Sequence, residues 1–326
     1  DEKRVADSIK ELQREFSGNS FHLHTYMGVY EIRDRDEAVS IMVDKANIAA
    51  DTIKNNYDCC VAYYDEHLLE ISIEQRRLLG EFEPALQNDE FVMYLQPQVK
   101  RDGAAKGAEA LVRWVHPSRG ILTPYAFIDI LENAGLIYKL DLYIWEKAAQ
   151  KLAEWKEKGY GSYHISVNIS TKDFYIIDIY ETFTGLINKY GIAASNLHLE
   201  ITETTLMTDF EKNMNIIHKL QGVGFRVEID DFGSGYSSLN MLKDISADVL
   251  KIDMGFLRKS ENEVKGQDIL ESIITLAGKI GMDVITEGVE TKKQLDMLTM
   301  MGCHEFQGYY FSKPVPVSEF EEKYLV

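Results

Sequence analysis

The chain has 326 residues, and its 35 Lys and Arg against 53 Asp and Glu leave a net charge of −18. Such a surface repels bulk nucleic acid and anionic membranes, so a phosphate ligand has to be met locally, by metal ions and a few placed cations. Hydrophobic residues at 45% and charged residues at 27% fit a soluble globular protein, and the length suits one large domain with a small companion.

In chain order, Val5, Ile9 and Leu12 stand at helical spacing within Asp1–Phe16, and Phe21–Ile32 reads as strand. Asp36–Asn55 is a second helix with Ala38, Ile41, Met42, Ala46, Ala49 and Ile53 among its apolar positions, and Cys59–Tyr64 is a short buried strand. Ile73–Gln87 forms a polar connecting helix with Leu78, Leu79, Phe82 and Leu86 on one side. The expected division is a small α/β segment at 1–72, a helical linker at 73–88 and a large domain at 89–326.

From Phe91 onward, apolar strands alternate with amphipathic helices. The strands are Phe91–Gln96, Gly107–Val112, Tyr163–Asn168, Leu197–Ile201, Arg226–Ile229, Val249–Ile252, Asp283–Ile285 and His304–Gln307. The helices include Pro124–Asn133, Asp141–Lys158, Ile179–Tyr190, Asp209–Gln221, Gln267–Ile280 and Lys292–Met301. Eight strands with mostly helical connections predict an α/β fold of the (β/α)8 TIM-type barrel. The alternative, a doubly wound open sheet, wants a glycine-rich phosphate loop after an early strand, and none is present.

A barrel of this kind carries its working groups at the C-terminal ends of its strands. Gln96, Glu109, Asn168, Glu200, Asp230, Asp231, Lys251, Glu287 and Gln307 each stand at or near one. Singly they have ordinary structural accounts: Asn168 can cap the segment after it, Glu200 can be a solvated strand end and Lys251 can snorkel. An acid, amide or amine at every strand end is a functional pattern. Its densest point is Val227–Asp231, where an alternating strand ends in two adjacent carboxylates before Phe232-Gly233-Ser234-Gly235. Strand alternation sends Asp230 and Asp231 in different directions. Two anions this close call for a compensating cation, and hard oxygen donors favour magnesium or manganese. Asp-Asp-Phe-Gly also suits a surface turn.

The cysteines, Cys59, Cys60 and Cys303, are odd in number and lack metal-ligand spacing, so a reducing, cytoplasmic compartment is expected. No apolar run of about 18 residues and no signal peptide is present, and no membrane contact is expected within this chain. It opens at Asp1 already in a helical pattern, so a longer parent, with any sensor or membrane anchor upstream, is the expectation.

Ala108-Glu109-Ala110-Leu111-Val112-Arg113-Trp114 names a resemblance, to EAL-domain cyclic di-GMP phosphodiesterases. It runs from about Asp89 to Lys323 and is supported by Tyr94–Pro97, His116-Pro117, Ser166–Ser170, Leu199–Glu203, Asp230–Leu239, Leu250–Asp253, Thr286–Thr291 and Phe306–Pro314. Three letters alone are weak; the ordered set is specific. Residues 1–72 resemble the later half of a GGDEF (diguanylate cyclase) domain by element order and by Asp44-Lys45-Ala46-Asn47. The Gly-Gly-Asp-Glu-Phe signature is absent, so no cyclase activity is expected, and the same elements suit a small packing or regulatory module.

The resemblance implies a barrel with two divalent ions, Mg2+ or Mn2+, at its mouth, with Ca2+ inhibitory. It implies that Glu109, Asn168, Glu200 and Asp230 hold one ion, and that Asp231 and Glu287 serve the other with Asp230 bridging. Lys251 orients or deprotonates the attacking water, Gln96, Leu111, Arg113 and Gln307 line the substrate, and Glu290 is a further acid tied to activity. Glu203 with Phe232, Gly233 and Ser234 belongs to the loop that couples the metal ligands to a homodimer interface; Met241, Leu242 and Ile245 after it suit a dimer face or plain helix burial. Lys251 among so many acids is expected to have a raised pKa, which favours an orienting role. Arg113 suits a phosphate oxygen through its bidentate fork. Ser234 stands where threonine is commoner. Glu228 stands where a small residue is commoner, on the face of Asp230, and its expected partners are Arg226 and Lys251.

The leading expectation is hydrolysis of cyclic di-GMP to linear pGpG. The alternatives are a catalytically weak cyclic di-GMP receptor or interaction module, and a metal-dependent barrel for another phosphodiester.

Overall fold

The structure, a computed structural model, describes residues 26–54, 60–233, 245–255 and 263–325. The expected helix at Asp1–Phe16, Cys59, Ser234, Met241 and Leu242 lie outside the described residues. The chain divides into two compact units, Asp1–Glu83 and Pro84–Val326.

In the first unit, β1 (Met27–Val29) and β2 (Val61–Tyr63) pair in parallel, with α1 (Val39–Asp51) between them in sequence. Parallel neighbours cannot be joined by a tight turn, and the helix supplies the crossover. The next helix, α2 (Glu66–Gln87), starts at Glu66 rather than at the expected Ile73. Asp65 is the reason: its carboxylate accepts the Leu68 N–H at 3.0 Å and caps the helix there.

The second unit contains β3 (Phe91–Lys100), β4 (Ala105–His116), β5 (Gly120–Leu122), α3 (Ile128–Ala134), α4 (Ile137–Glu157), β6 (His164–Ile169), α5 (Asp173–Ile176), α6 (Ile179–Tyr190) and β7 (Leu197–Thr202). It continues through α7 (Glu203–Thr208), α8 (Phe210–Val223), β8 (Val227–Phe232), β9 (Val249–Asp253), α9 (Glu263–Lys279), β10 (Asp283–Glu287), α10 (Lys292–Met300), β11 (Glu305–Phe306), β12 (Val315–Pro316) and α11 (Val317–Tyr324). The strands run in the order β3-β11-β10-β9-β8-β7-β6-β4, and β3 pairs with β4, so eight strands close a barrel. All eight expected strands are there.

One departs from the expected pattern: β3 is antiparallel to both neighbours, with Phe91 opposite Trp114 and Val99 opposite Phe306. The link from β3 to β4 is a tight turn in which the Lys100 N–H donates to the Ala104 carbonyl, too short to be a helical crossover. Gln96 is therefore mid-strand, opposite Glu109 in register, and not at a C-terminal strand end as expected.

The strands sort their side chains by the two-residue period. Ile165, Val167, Leu197, Leu199, Ile201, Val227, Ile229, Leu250 and Ile252 are fully buried. Each such aliphatic side chain contributes roughly 1.5–3 kcal/mol, and Leu199→Ala would cost about 2–5 kcal/mol. The alternate positions Ser166, Asn168, His198, Glu200, Glu228, Asp230 and Lys251 form the other face, so the barrel is lined by polar groups where it carries the site.

Candidate active site

Lys251 is the centre of the site. It is fully buried in the middle of β9, and burial alone would pull its pKa down. Its Nζ, however, lies 2.7 Å from Glu200 Oε2, 2.8 Å from Glu287 Oε1, 3.1 Å from Asp230 Oδ1 and 3.4 Å from Glu109 Oε2. Those charges outweigh burial and hold the ammonium well above its ordinary value. One cation against four carboxylates does not balance. Burial, with Asp230 and Glu109 adding to it against the pull of Lys251, pushes Glu287 up to about 8. Burial, then Glu109, pushes Glu200 well above the usual carboxylate range.

A web of amides fixes the acids. Asn168 Nδ2 donates to Glu109 Oε1 at 3.2 Å, and Gln307 Nε2 donates to Glu109 Oε2 at 2.5 Å and to Gln96 Oε1 at 3.3 Å. Gln96 Nε2 in turn donates to the Ser312 carbonyl at 3.3 Å. The Oε1 of Gln307 is a buried acceptor with no donor among the described residues.

The two aspartates do not part company as alternation predicted. The β8–β9 register shifts between Ile229 and Phe232, and Asp231 takes a left-handed backbone with φ 54°. A bulge of this kind re-aims a side chain. Oxygens of Asp230, Asp231 and Glu287 all lie within 4.8 Å of one another. A set of carboxylate oxygens this close, short of positive charge, fits a small hard dication with oxygen ligands at about 2.1 Å.

The remaining expected residues are placed as follows. Leu111 and Arg113 share the face of Glu109 on β4. The Arg113 guanidinium lies 5.5 Å from the Tyr94 ring centroid and donates to the Val112 carbonyl at 2.7 Å. Glu203 opens α7, whose cap is the Thr202 hydroxyl accepting from the Thr205 N–H at 3.3 Å. Phe232 is buried, Gly233 has a positive φ, and Ile245 is buried. Glu290 is exposed beyond β10 and, like Glu203, is not among the four carboxylates around Lys251.

Glu228 corrects an expectation. It pairs with neither Arg226 nor Lys251: Arg226 is bound to Asp283 at 2.6 Å, and Glu228 Oε1 lies 2.5 Å from His198 Nδ1. Sequence reasoning missed His198 and His164. The signal was available, because His198 precedes Glu200, as Glu228 precedes Asp230, by one strand period.

Residues 80–314 match the EAL domain family. The chain is similar to the bifunctional diguanylate cyclase/cyclic di-GMP phosphodiesterase MucR of Pseudomonas aeruginosa, 32% identical over 272 residues that cover 83% of this chain and 39% of MucR. It is also similar to the cyclic di-GMP phosphodiesterase PdeR of Escherichia coli, 33% identical over 240 residues, 74% of this chain and 36% of PdeR. Among solved structures it is similar to the PaMucR phosphodiesterase in its c-di-GMP complex, with a TM-score of 0.71 and 33% identity over 75% of this chain and 99% of that one. The Xanthomonas citri FimX EAL domain, 21% identical with a TM-score of 0.68 over 76% of this chain and 96% of that one, shares the fold. The chain spans less than half the length of these curated relatives. The family match begins at residue 80, and it lends no support to a GGDEF-like identity for the segment before it.

Proposed function

The chain belongs to the EAL-domain family, and on that footing we propose that it hydrolyses cyclic di-GMP to linear pGpG with two divalent ions at the barrel rim. The supporting observation is the convergence of four carboxylates on Lys251 beside the Asp230–Asp231–Glu287 oxygens. Glu109, Asn168, Glu200 and Asp230 would hold one ion, and Asp231 and Glu287 the other, with Asp230 shared. When bound, the dications supply charge neutralisation for the diester and acidify the attacking water. Mg2+ or Mn2+ would support turnover, and Ca2+ would inhibit it.

The chain's own groups do the positioning. Lys251 keeps mutually repelling acids converged and, held as a cation, orients water rather than taking its proton. Arg113 offers a planar fork to a phosphate oxygen. Gln96, Leu111 and Gln307 line the substrate, and Glu290 assists from outside the cluster. Glu203, Phe232, Gly233 and Ser234 couple the ligands to a homodimer interface, and the protein works in the cytoplasm. The proposed domain division stays 1–72, 73–88 and 89–326, the first part a GGDEF-like remnant. No helix among the described residues is long and apolar enough to cross a membrane.

The test is incubation with cyclic di-GMP and Mg2+ or Mn2+, read by chromatography. Wild type should give the linear dinucleotide and Glu109→Ala none. Folded wild type that binds the cyclic dinucleotide and yields no product under either ion would make it a receptor instead.

A further inference from the structure

The backbone ladders that carry the proposed metal ligands end at the rim. Between β6 and β7, Asn168 stands opposite Glu200, and the last pair is Ile169 with Ile201. Between β7 and β8, the last pair is Thr202 with Asp230. Three of the four ligands proposed for one ion therefore sit on three neighbouring strands, each at or next to the last paired residue.

Past that point, hydroxyls take over from backbone amides. Thr171, in the turn after β6, shares a hydrogen bond with Thr205 of α7, Oγ1 to Oγ1 at 2.7 Å. The same Thr205 Oγ1 lies 2.9 Å from Thr202 Oγ1 at the end of β7. One hydroxyl thus joins the exit of β6 to the exit of β7, and Thr202 in turn is the register partner of Asp230. Hydroxyls stay neutral where the acids titrate, so this link does not depend on how the carboxylates are charged.

Thr205 is itself held firmly. It is 1% exposed, and its carbonyl accepts Nδ2 of the fully buried Asn213 of α8 at 2.9 Å. Its N–H donates to Thr202 Oγ1 at 3.3 Å, the cap of α7. On the β6 side, Trp145 Nε1 donates to the Asn168 carbonyl at 2.9 Å and the Ser170 N–H to Asp173 Oδ2 at 2.8 Å. The segment that carries Asn168 is fixed from α4 and by its own turn, and Thr171 ties it to β7.

Helix capping alone does not account for the arrangement. The cap uses the Thr205 N–H and not its side chain. Thr208, on the same helix, shows the ordinary use of such a hydroxyl: its Oγ1 donates to the Thr204 carbonyl at 2.9 Å, one turn back. Thr205 instead sends its hydroxyl across to the end of another strand.

We propose that Thr205 is a positioning residue whose hydroxyl sets the spacing of the β6 and β7 ends, so that Asn168 and Glu200 meet the same divalent ion. The inference rests on the phosphodiesterase reading above. Without the hydroxyl, Thr171 and Thr202 lose their shared partner, and the strand ends can splay beyond the last ladder pair. A small dication demands ligands at about 2.1 Å in a strict geometry, so a slight splay lowers affinity. Groups that orient metal ligands typically affect affinity about 10–100-fold; one that acts through the backbone belongs at the lower end.

The experiment is calorimetric titration of Mn2+ into the metal-stripped full chain, with kcat and KM for cyclic di-GMP across a range of Mn2+. Thr205→Val keeps the shape and the capping N–H and loses only the hydroxyl; it should weaken Mn2+ about tenfold. Its kcat should fall at low Mn2+ and recover at saturating Mn2+, with KM unchanged. Thr205→Ser keeps the hydroxyl and should bind Mn2+ as wild type does. Thr171→Val cuts the β6 arm alone and should match Thr205→Val, and it carries the test if Thr205→Val does not fold. The double variant should lose no more than either single one. Thr208→Val makes the same change away from the link and should leave Mn2+ affinity unchanged. Folded Thr205→Val or Thr171→Val with wild-type affinity overturns the inference, even if its melting temperature drops. Equal loss in Thr205→Val and Thr205→Ser, or in Thr205→Val and Thr208→Val, overturns it too. Wild type that turns over cyclic di-GMP beside unaffected variants sinks this inference only; wild type that binds no Mn2+ sinks the phosphodiesterase reading with it.

Discussion

Asp231 turns into the left-handed region immediately after Asp230, and that turn brings both carboxylates to the same cluster as Glu287. An ordinary strand would have sent one of them to the far face. The conformation costs most side chains energy, and Asp and Asn least.

Asp231→Asn should therefore leave thermal stability within about 0.5 kcal/mol while weakening Mn2+ at least about tenfold. Asp231→Val should lose the same affinity and about 1–3 kcal/mol of stability besides. Calorimetric titration and thermal melts separate the two effects; equal melting of both variants would remove the strain from the account.

Lys251 is the only cation within ion-pair distance of Glu109, Glu200, Asp230 and Glu287 among the described residues. Lys251→Met leaves the acids to repel one another. Metal-free protein should lose about 3–5 kcal/mol, and turnover should fall about 10²–10³-fold. Mn2+ should restore much of the melting temperature without restoring the rate. Melts with and without Mn2+ check this, and a variant whose melting ignores the metal would contradict it.

Gly308 follows Gln307, whose carbonyl accepts the Val289 N–H at 3.1 Å. A Cβ at 308 would stand 2.2 Å from the Val289 carbonyl oxygen and 2.3 Å from its nitrogen, both backbone atoms that cannot swing away. Gly308→Ala should cost at least about 1–3 kcal/mol and raise KM by displacing the Gln307 amide. Steady-state kinetics on the folded fraction, with a denaturant melt, would show both.

Burial, with His198, Arg226 and Lys106 adding to it, holds His164 well below its ordinary value of 6.5. In the folded protein it stays neutral where the unfolded chain takes up a proton. Its contribution is therefore complete above about pH 6.5 and is lost as pH falls below that value toward the folded pKa. The melting temperature of wild type should drop between about pH 7.5 and pH 5.5 more steeply than that of His164→Gln. Parallel slopes would assign the acid sensitivity elsewhere.

Most of the barrel could be read in advance because its strands alternate strictly, and because acids and amides punctuate them where a TIM-type barrel works. The reversal of β3 was legible too: Asp102-Gly103 between two apolar runs is a hairpin signal. It was masked by the expectation that each strand leads into a helix. The bulge at Asp231 left no such trace, since a left-handed aspartate looks like any other in sequence. Glu228 shows the limit of face arithmetic. Its side was correctly placed, but Arg226 was drawn off by Asp283 and His198 came from the neighbouring strand, which no spacing within β8 could reveal.

The antiparallel β3 also dictates when the cylinder can shut. One seam, β3 with β4, joins residues close in sequence and can zip as a local hairpin early. The other seam waits for Glu305 and Phe306, some 200 positions downstream, to meet Lys100 and Val99. Until the ribosome has delivered those two residues, β3 and β10 each present a raw edge. Nascent chains should then be most prone to clump just before those two residues emerge.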